Sequence, residues 1–285
     1  MRSVFLHVCC VLLAFVSVAV SQAAASTVFV SIPPQAALVE AIGGSGVTVH
    51  VLLADGSDPH HFFPTPKQVQ NLLTADCYLT VDLEFERRLR DRLAGMRSDL
   101  RLVDMSSGVP RLGVDEGHGS DHDADPHLWL GFDQLSRMAE NVAVALSECD
   151  PQGRAQYQAG LVSFQARLAA VQEQTTTLLR PHQGETLFVF HPAFGYLANN
   201  FQLQQRAVQV EGKNPSPRQL LHFIRQAQEE EIRVLFVQPQ FDPRSAQIIA
   251  DATGARIVAI DPLARDVLAN ITSMAEQLAQ GLAKR

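Results

Sequence analysis

The sequence predicts an α/β fold of two similar lobes with largely parallel sheets, joined by a long backbone α-helix. Three observations carry that expectation. Strand and helix patterns alternate through the first half, the same alternation returns in the second, and a long amphipathic run separates them.

Thr27–Ile32 reads as a strand, and Pro33–Ile42 as a helix closed by Gly43 and Gly44. Val47–Leu53 is a second strand. Thr65 then caps a helix: Pro66 suits the first helical position, and Gln68 completes a Thr-x-x-Gln capping box. Cys77–Val81 and Leu100–Val103 are further strands. In the second half Thr186–Phe190 ("TLFVF") resembles Thr27–Ser31 ("TVFVS"). Pro215-Ser216-Pro217-Arg218-Gln219 resembles Pro64-Thr65-Pro66-Lys67-Gln68, again a capping box with proline at the first helical position. Strands at Val234–Val237 and Arg256–Ile260 follow. Between the halves, Tyr157, Leu161, Phe164, Leu168, Val171, Thr175 and Leu178 form one stripe on a helix running from Pro151 to Pro181. At 1.5 Å per residue such a helix is about 45 Å long, enough to reach from one lobe to the other and to restrict their swing.

The 285 residues suit two domains, and 46% apolar with 19% charged residues is ordinary for a globular chain. A net charge of −7 argues against a nucleic-acid surface and suits cationic or neutral partners. Arg2, the apolar run Val4–Val20 and the small residues Ala23-Ala24-Ala25 have the layout of a secretory signal peptide cut after Ala25. Residues 1–25 are therefore read as signal peptide, 26–149 as the N-terminal lobe, 150–181 as the linking helix and 182–285 as the C-terminal lobe. Cys9 and Cys10 leave with the signal, and no cysteine stands directly after the cleavage site, so no lipid anchor is expected. Cys77 and Cys149 remain; an oxidising compartment permits a disulfide between them, and two separate buried thiols are the alternative.

The chain has no Gly-rich phosphate loop, no G-x-S-x-G elbow and no H-E-x-x-H. Its chemistry lies in histidine. His50 interrupts an apolar strand and reads as a partly buried, satisfied residue; His182 and His222 read as solvated. Three others stand next to proline at element boundaries: His60 after Pro59, His127 after Pro126, and His191 before Pro192, directly after a strand. In parallel α/β sheets ligands gather beyond the carboxyl ends of strands. Asp261 ends the Arg256–Ile260 strand in the same way, although Asp-Pro is also an ordinary helix start. Three imidazoles and a carboxylate suit Zn²⁺, which binds tetrahedrally through nitrogen and oxygen.

The ordered segments "DPHHFFPTP", "DPHLWL", "FVFHPAFGYLANNF", "EGKNPSPRQL" and "IDPL" resemble the metal-binding solute receptors of ABC importers, the ZnuA/TroA-like group. The resemblance covers nearly the whole chain beyond residue 25. It implies two Rossmann-like lobes on a backbone helix, and a periplasmic or otherwise extracytoplasmic metal receptor that serves a membrane permease. It also implies a histidine ligand in each of the first three motifs and often a carboxylate in the last: His60, His127, His191 and Asp261. His61 is left at the rim. Manganese-type members commonly have a carboxylate at the third position; His191 there moves preference toward zinc, with Mn²⁺ or Fe²⁺ second. Zinc-type relatives often read "EPQF" where this chain has Gln238-Pro239-Gln240-Phe241, so an acidic group is missing. The histidine- and acid-rich loop before the second ligand is short, with His118 and His122 as an auxiliary capture site or as part of a solvated acidic loop. Expected partners are the permease and, secondarily, a metallochaperone, with the chain itself a monomer and no nucleic acid involved. A secreted zinc hydrolase is the rival, since three protein ligands plus water also describe catalytic zinc. No glutamate stands beside a histidine as its general base. A surface adhesin or metal buffer is a third reading.

Overall fold

The computed structural model describes residues 25–113, 124–209 and 215–283. The proposed signal peptide, His118 and His122 lie outside the described residues. The first lobe holds β1 (Ser26–Val30), α1 (Pro33–Gly43), β2 (Val47–Val51), α2 (Pro66–Leu72), β3 (Cys77–Thr80), α3 (Glu84–Met96) and β4 (Arg101–Asp104). Then come α4 (Phe132–Cys149) and the long α5 (Arg154–Leu179). The second lobe holds β5 (Thr186–Val189), α6 (Gly195–Asn200), β6 (Gln204–Ala207), α7 (Pro217–Glu229), β7 (Val234–Val237), α8 (Pro243–Thr253), β8 (Arg256–Ala259) and α9 (Val267–Leu282).

Every strand pairing is parallel, in the orders β2-β1-β3-β4 and β6-β5-β7-β8. The two sheets thus repeat one topology, and the faint internal likeness of the sequence has a structural counterpart. Parallel strands buried on both faces explain the apolar runs that mark them. In β5 and β7 successive side chains serve different cores, as the two-residue period of a strand requires. Leu187, Val189, Val234 and Phe236 join the main core, while Phe188, Phe190, Leu235 and Val237 pack with Phe223, Ile224 and Ile249 in a second one.

The main core is continuous across the molecule. It runs from Val28, Leu79 and Leu135 through Tyr157, Leu161, Phe164 and Leu168 of α5 to Ile271, Met274 and Leu278 of α9. The α-helical part of the backbone helix is 26 residues, flanked by single 3₁₀ turns, so it is about 39 Å long rather than 45. Its stripe ends one residue later than the sequence pattern implies: Leu179 is buried and Leu178 lies at the surface. A step of four from Thr175 stays closer to one face than a step of three at that point. Gly160 lets α5 lie directly on α1, because a Cβ there would overlap the carbonyl oxygen of Ile42.

Both expected capping boxes form. Thr65 and Ser216 each accept from the backbone N–H three residues on, at 3.3 Å, and each receives the glutamine oxygen on its own N–H at 2.9 Å. Cys77 and Cys149 are paired as a disulfide across 72 residues, with Cα atoms 6.5 Å apart, tying β3 to the end of α4. His50 differs from expectation: β2 is an edge strand, so the ring is exposed and stacks on Phe29 at 5.0 Å.

Candidate metal centre

Each histidine is presented by a short turn, beyond a strand for His60 and His191 and just ahead of α4 for His127. His60 lies in a 3₁₀ turn, Pro59–His61, that starts at Asp58. Asp58 Oδ1 accepts from the His60 N–H at 2.9 Å, and Gln68 anchors the far side of the loop by donating to the Leu52 carbonyl at 2.7 Å. His127 repeats the first device, with its N–H donating to Asp125 Oδ1 at 2.9 Å. His191 follows β5 by two residues. Gln238 clamps its backbone from both sides, accepting from the N–H at 3.2 Å and donating to the carbonyl at 3.0 Å. A glutamate at position 238 could not donate that second bond, which gives the missing acid of this segment a local reason.

These turns bring three imidazoles together. One ring nitrogen of each of His60, His127 and His191 lies within 4.8 Å of the others, and Nε2 of His60 is 3.3 Å from Nε2 of His191. Two nitrogens bound to a tetrahedral zinc at 2.0–2.1 Å would stand about 3.3 Å apart, so this pair already has the spacing of a shared ion. The remaining ring nitrogens fix the tautomers. His127 Nδ1–H donates to Asp125 Oδ1 at 2.7 Å, and His191 Nδ1–H donates to Gln209 Oε1 at 2.9 Å. Both Nε2 lone pairs are thereby left for coordination. His127 and His191 are buried, and His60 is the exposed member.

Burial, reinforced by the neighbouring His127 and His60, pushes the His191 pKa down to about 2. Burial and then the charge of His127 also lower His60. Burial therefore favours the neutral, coordinating form of His191 and shifts His60 the same way. The rings line a pocket of about 270 Å³, counted to its open mouth, with Trp129, Gln240 and Phe241 among its walls. Phe241 lies 4.8 Å from the His191 ring and Trp129 lies 5.4 Å from His127.

Asp261 does not enter the group of mutually close donors. Its Oδ1 accepts from the Leu263 N–H at 2.8 Å and from Gln240 Nε2 at 2.7 Å. His61 is exposed, with Nδ1 2.7 Å from Asp58 Oδ2. Sequence reasoning did not single out Asp58, Asp125, Gln209 or Gln240. Asp-Pro-His occurs twice, and its aspartate was the available signal for Asp58 and Asp125; Gln209 and Gln240 arrive only through the tertiary fold.

Residues 28–284 match the family of the zinc-uptake complex component A, periplasmic, ZnuA. The high-affinity zinc uptake system protein ZnuA of Yersinia pestis is 29% identical over 283 residues, covering 90% of this chain and 89% of its own. A crystal structure of ZnuA superposes with a TM-score of 0.85 at 34% identity, covering 91% of this chain and all of the other. The fold alone is shared with FpvC of Pseudomonas aeruginosa, solved in complex with Mn²⁺, at 18% identity and a TM-score of 0.79. Matched over residues 28–284, the chain belongs to the ZnuA family of periplasmic zinc-uptake components.

Proposed function

We propose that this chain is an extracytoplasmic receptor that captures Zn²⁺ between its lobes through His60, His127 and His191 and delivers the ion to the permease of an ABC importer. The family is one of non-enzymatic solute-binding components of transport systems, which removes the hydrolase reading. The observation that carries the proposal is the convergence of three imidazoles, two with their second nitrogen already engaged. Three nitrogen donors favour zinc over the harder Mn²⁺, which prefers oxygen. Export fits the Cys77–Cys149 disulfide, which belongs in an oxidising compartment, and the signal-like sequence before Ser26. Among the described residues, no helix is long and apolar enough to cross a membrane. Recognition by the permease follows if the ion biases the lobes toward one arrangement, since a ligand shifts an equilibrium only through differential affinity.

The test is metal analysis of the purified protein, followed by competitive zinc and manganese titration of the wild type and of His60→Ala, His127→Ala and His191→Ala. Each substitution is expected to weaken zinc binding by tenfold or more, on the order of what disturbing a metal site costs. Tight zinc binding that persists in all three variants would sink the site. A clear manganese preference of the wild type would overturn the choice of ion.

A further inference from the structure

We propose that the side-chain oxygen of Gln240 is the fourth donor to the captured ion, and that Asp261 acts as the residue that aims it. The proposal rests on the zinc-binding reading above and deepens it. Gln240 lies three residues beyond β7, beside the turn that follows β8, and lines the same pocket as the three histidines. Its amide nitrogen donates to Asp261 Oδ1 at 2.7 Å. That oxygen is already the acceptor of the Asp261-Pro262-Leu263 turn, taking the Leu263 N–H at 2.8 Å. An acceptor on one side requires the donor end of the amide to face it, so the orientation of Gln240 is set by its bonds.

The oxygen of the same amide is then left over. Gln240 Oε1 is buried and has no hydrogen-bond partner among the described residues. An unpaired buried carbonyl is costly, and such groups in native folds call for an explanation. Gln238, two residues earlier, shows the satisfied alternative, with both ends of its amide on the backbone of His191. Three imidazoles leave one position of a tetrahedral zinc open, and oxygen is an accepted donor there. An uncharged amide oxygen leaves the bound centre with the full charge of the ion, whereas a carboxylate would neutralise part of it. A weaker fourth donor suits a carrier that must hand its cargo on.

The experiment uses the full mature chain, stripped with chelator, in competitive zinc titration together with the visible absorption spectrum of its Co²⁺ form. Gln240→Leu is expected to weaken zinc about 10- to 100-fold and to shift the Co²⁺ bands, as loss of a donor does. Asp261→Asn keeps an oxygen for both N–H groups and is expected to stay within about tenfold of wild type. Gln240→Met, close in volume, gives a second apolar replacement if the leucine variant folds poorly. Wild-type affinity and an unchanged Co²⁺ spectrum in the Gln240 variants would overturn the proposal. So would a loss in Asp261→Asn as large as that in His127→Ala, which would make the carboxylate the donor. A wild-type chain that binds no zinc would instead bring down the receptor reading itself, and this proposal with it.

Discussion

Burial leaves His191 poorly able to accept a proton in the folded chain, and that gives the metal-free protein a pH-dependent stability. Its folded pKa of about 2 lies far below the ordinary value near 6.5, with burial the main cause. Between those values the unfolded chain binds a proton that the folded chain does not, so stability falls as pH drops below 6.5. The contribution is fully present above 6.5. The lowered His60 acts with the same sign. Buried Glu86, raised to about 7 chiefly by desolvation, acts oppositely: its contribution is lost as pH rises from the ordinary carboxylate range through about 7. Urea unfolding in chelator should therefore show the wild type losing roughly 2 kcal/mol more than His191→Gln between pH 7 and pH 5. Equal losses in the two proteins would mean that the ring is solvated. At this scale the three histidines were legible because each sits beside proline at an element boundary. Asp261 was read from the same signal, yet Asp-Pro occurs five times here, and every one of these aspartates accepts the N–H two residues on. The motif reports a turn first. Which turn also faces an ion is decided by its tertiary neighbours.

At the scale of elements, the close seat of α5 on α1 is the contact most sensitive to a single atom. Gly160 has no side chain where Ile42 presents its backbone carbonyl, and backbone cannot turn aside as the end of a long side chain can. Helix propensity alone would favour alanine over glycine by nearly 1 kcal/mol. The overlap should outweigh that gain, and Gly160→Ala is expected to destabilise the protein by about 1–3 kcal/mol, the usual cost of forced overpacking. Thermal melting of the metal-free protein checks it, and an unchanged or raised midpoint would show that the helices separate at little cost. The elements with strong local chemistry were readable from sequence: capping boxes at Thr65 and Ser216, apolar runs in the central strands, the stripe of α5. β6 was not, because Gln204-Gln205-Arg206-Ala207 lacks apolar alternation and forms only through pairing with β5 at the sheet edge. The cysteine pair was equally silent, since spacing says nothing about which segments the fold will place 6.5 Å apart.

The whole molecule is built more like one body than like two lobes on a hinge. One core passes from the first sheet through α5 to α9, and polar ties reinforce it where the site lies. Trp129, beside His127, donates its indole N–H to the Pro262 carbonyl at 2.6 Å, and Tyr196 donates to the Asp125 carbonyl at 2.9 Å. Both bonds join a segment that precedes α4 to one in the second lobe. Wide opening would have to break them and expose core side chains at about 25 cal/mol per Å². The sequence indicated restraint through the long helix, but the cross-ties were beyond it, because they join residues 133 and 71 positions apart. Zinc is therefore expected to act on stability far more than on shape. Saturation at a hundredfold excess over the dissociation constant adds about 2.7 kcal/mol of stability through linkage, with a raised melting temperature. Small-angle scattering of the same samples should give one radius of gyration, roughly 18 Å for a compact chain of this length, with and without the ion. A clear contraction on adding zinc would show that the lobes swing, and that the continuous core yields more easily than its burial implies. A permease would then have a large closure to recognise; with no contraction, the surface it reads must change locally, around the loops that carry the three histidines.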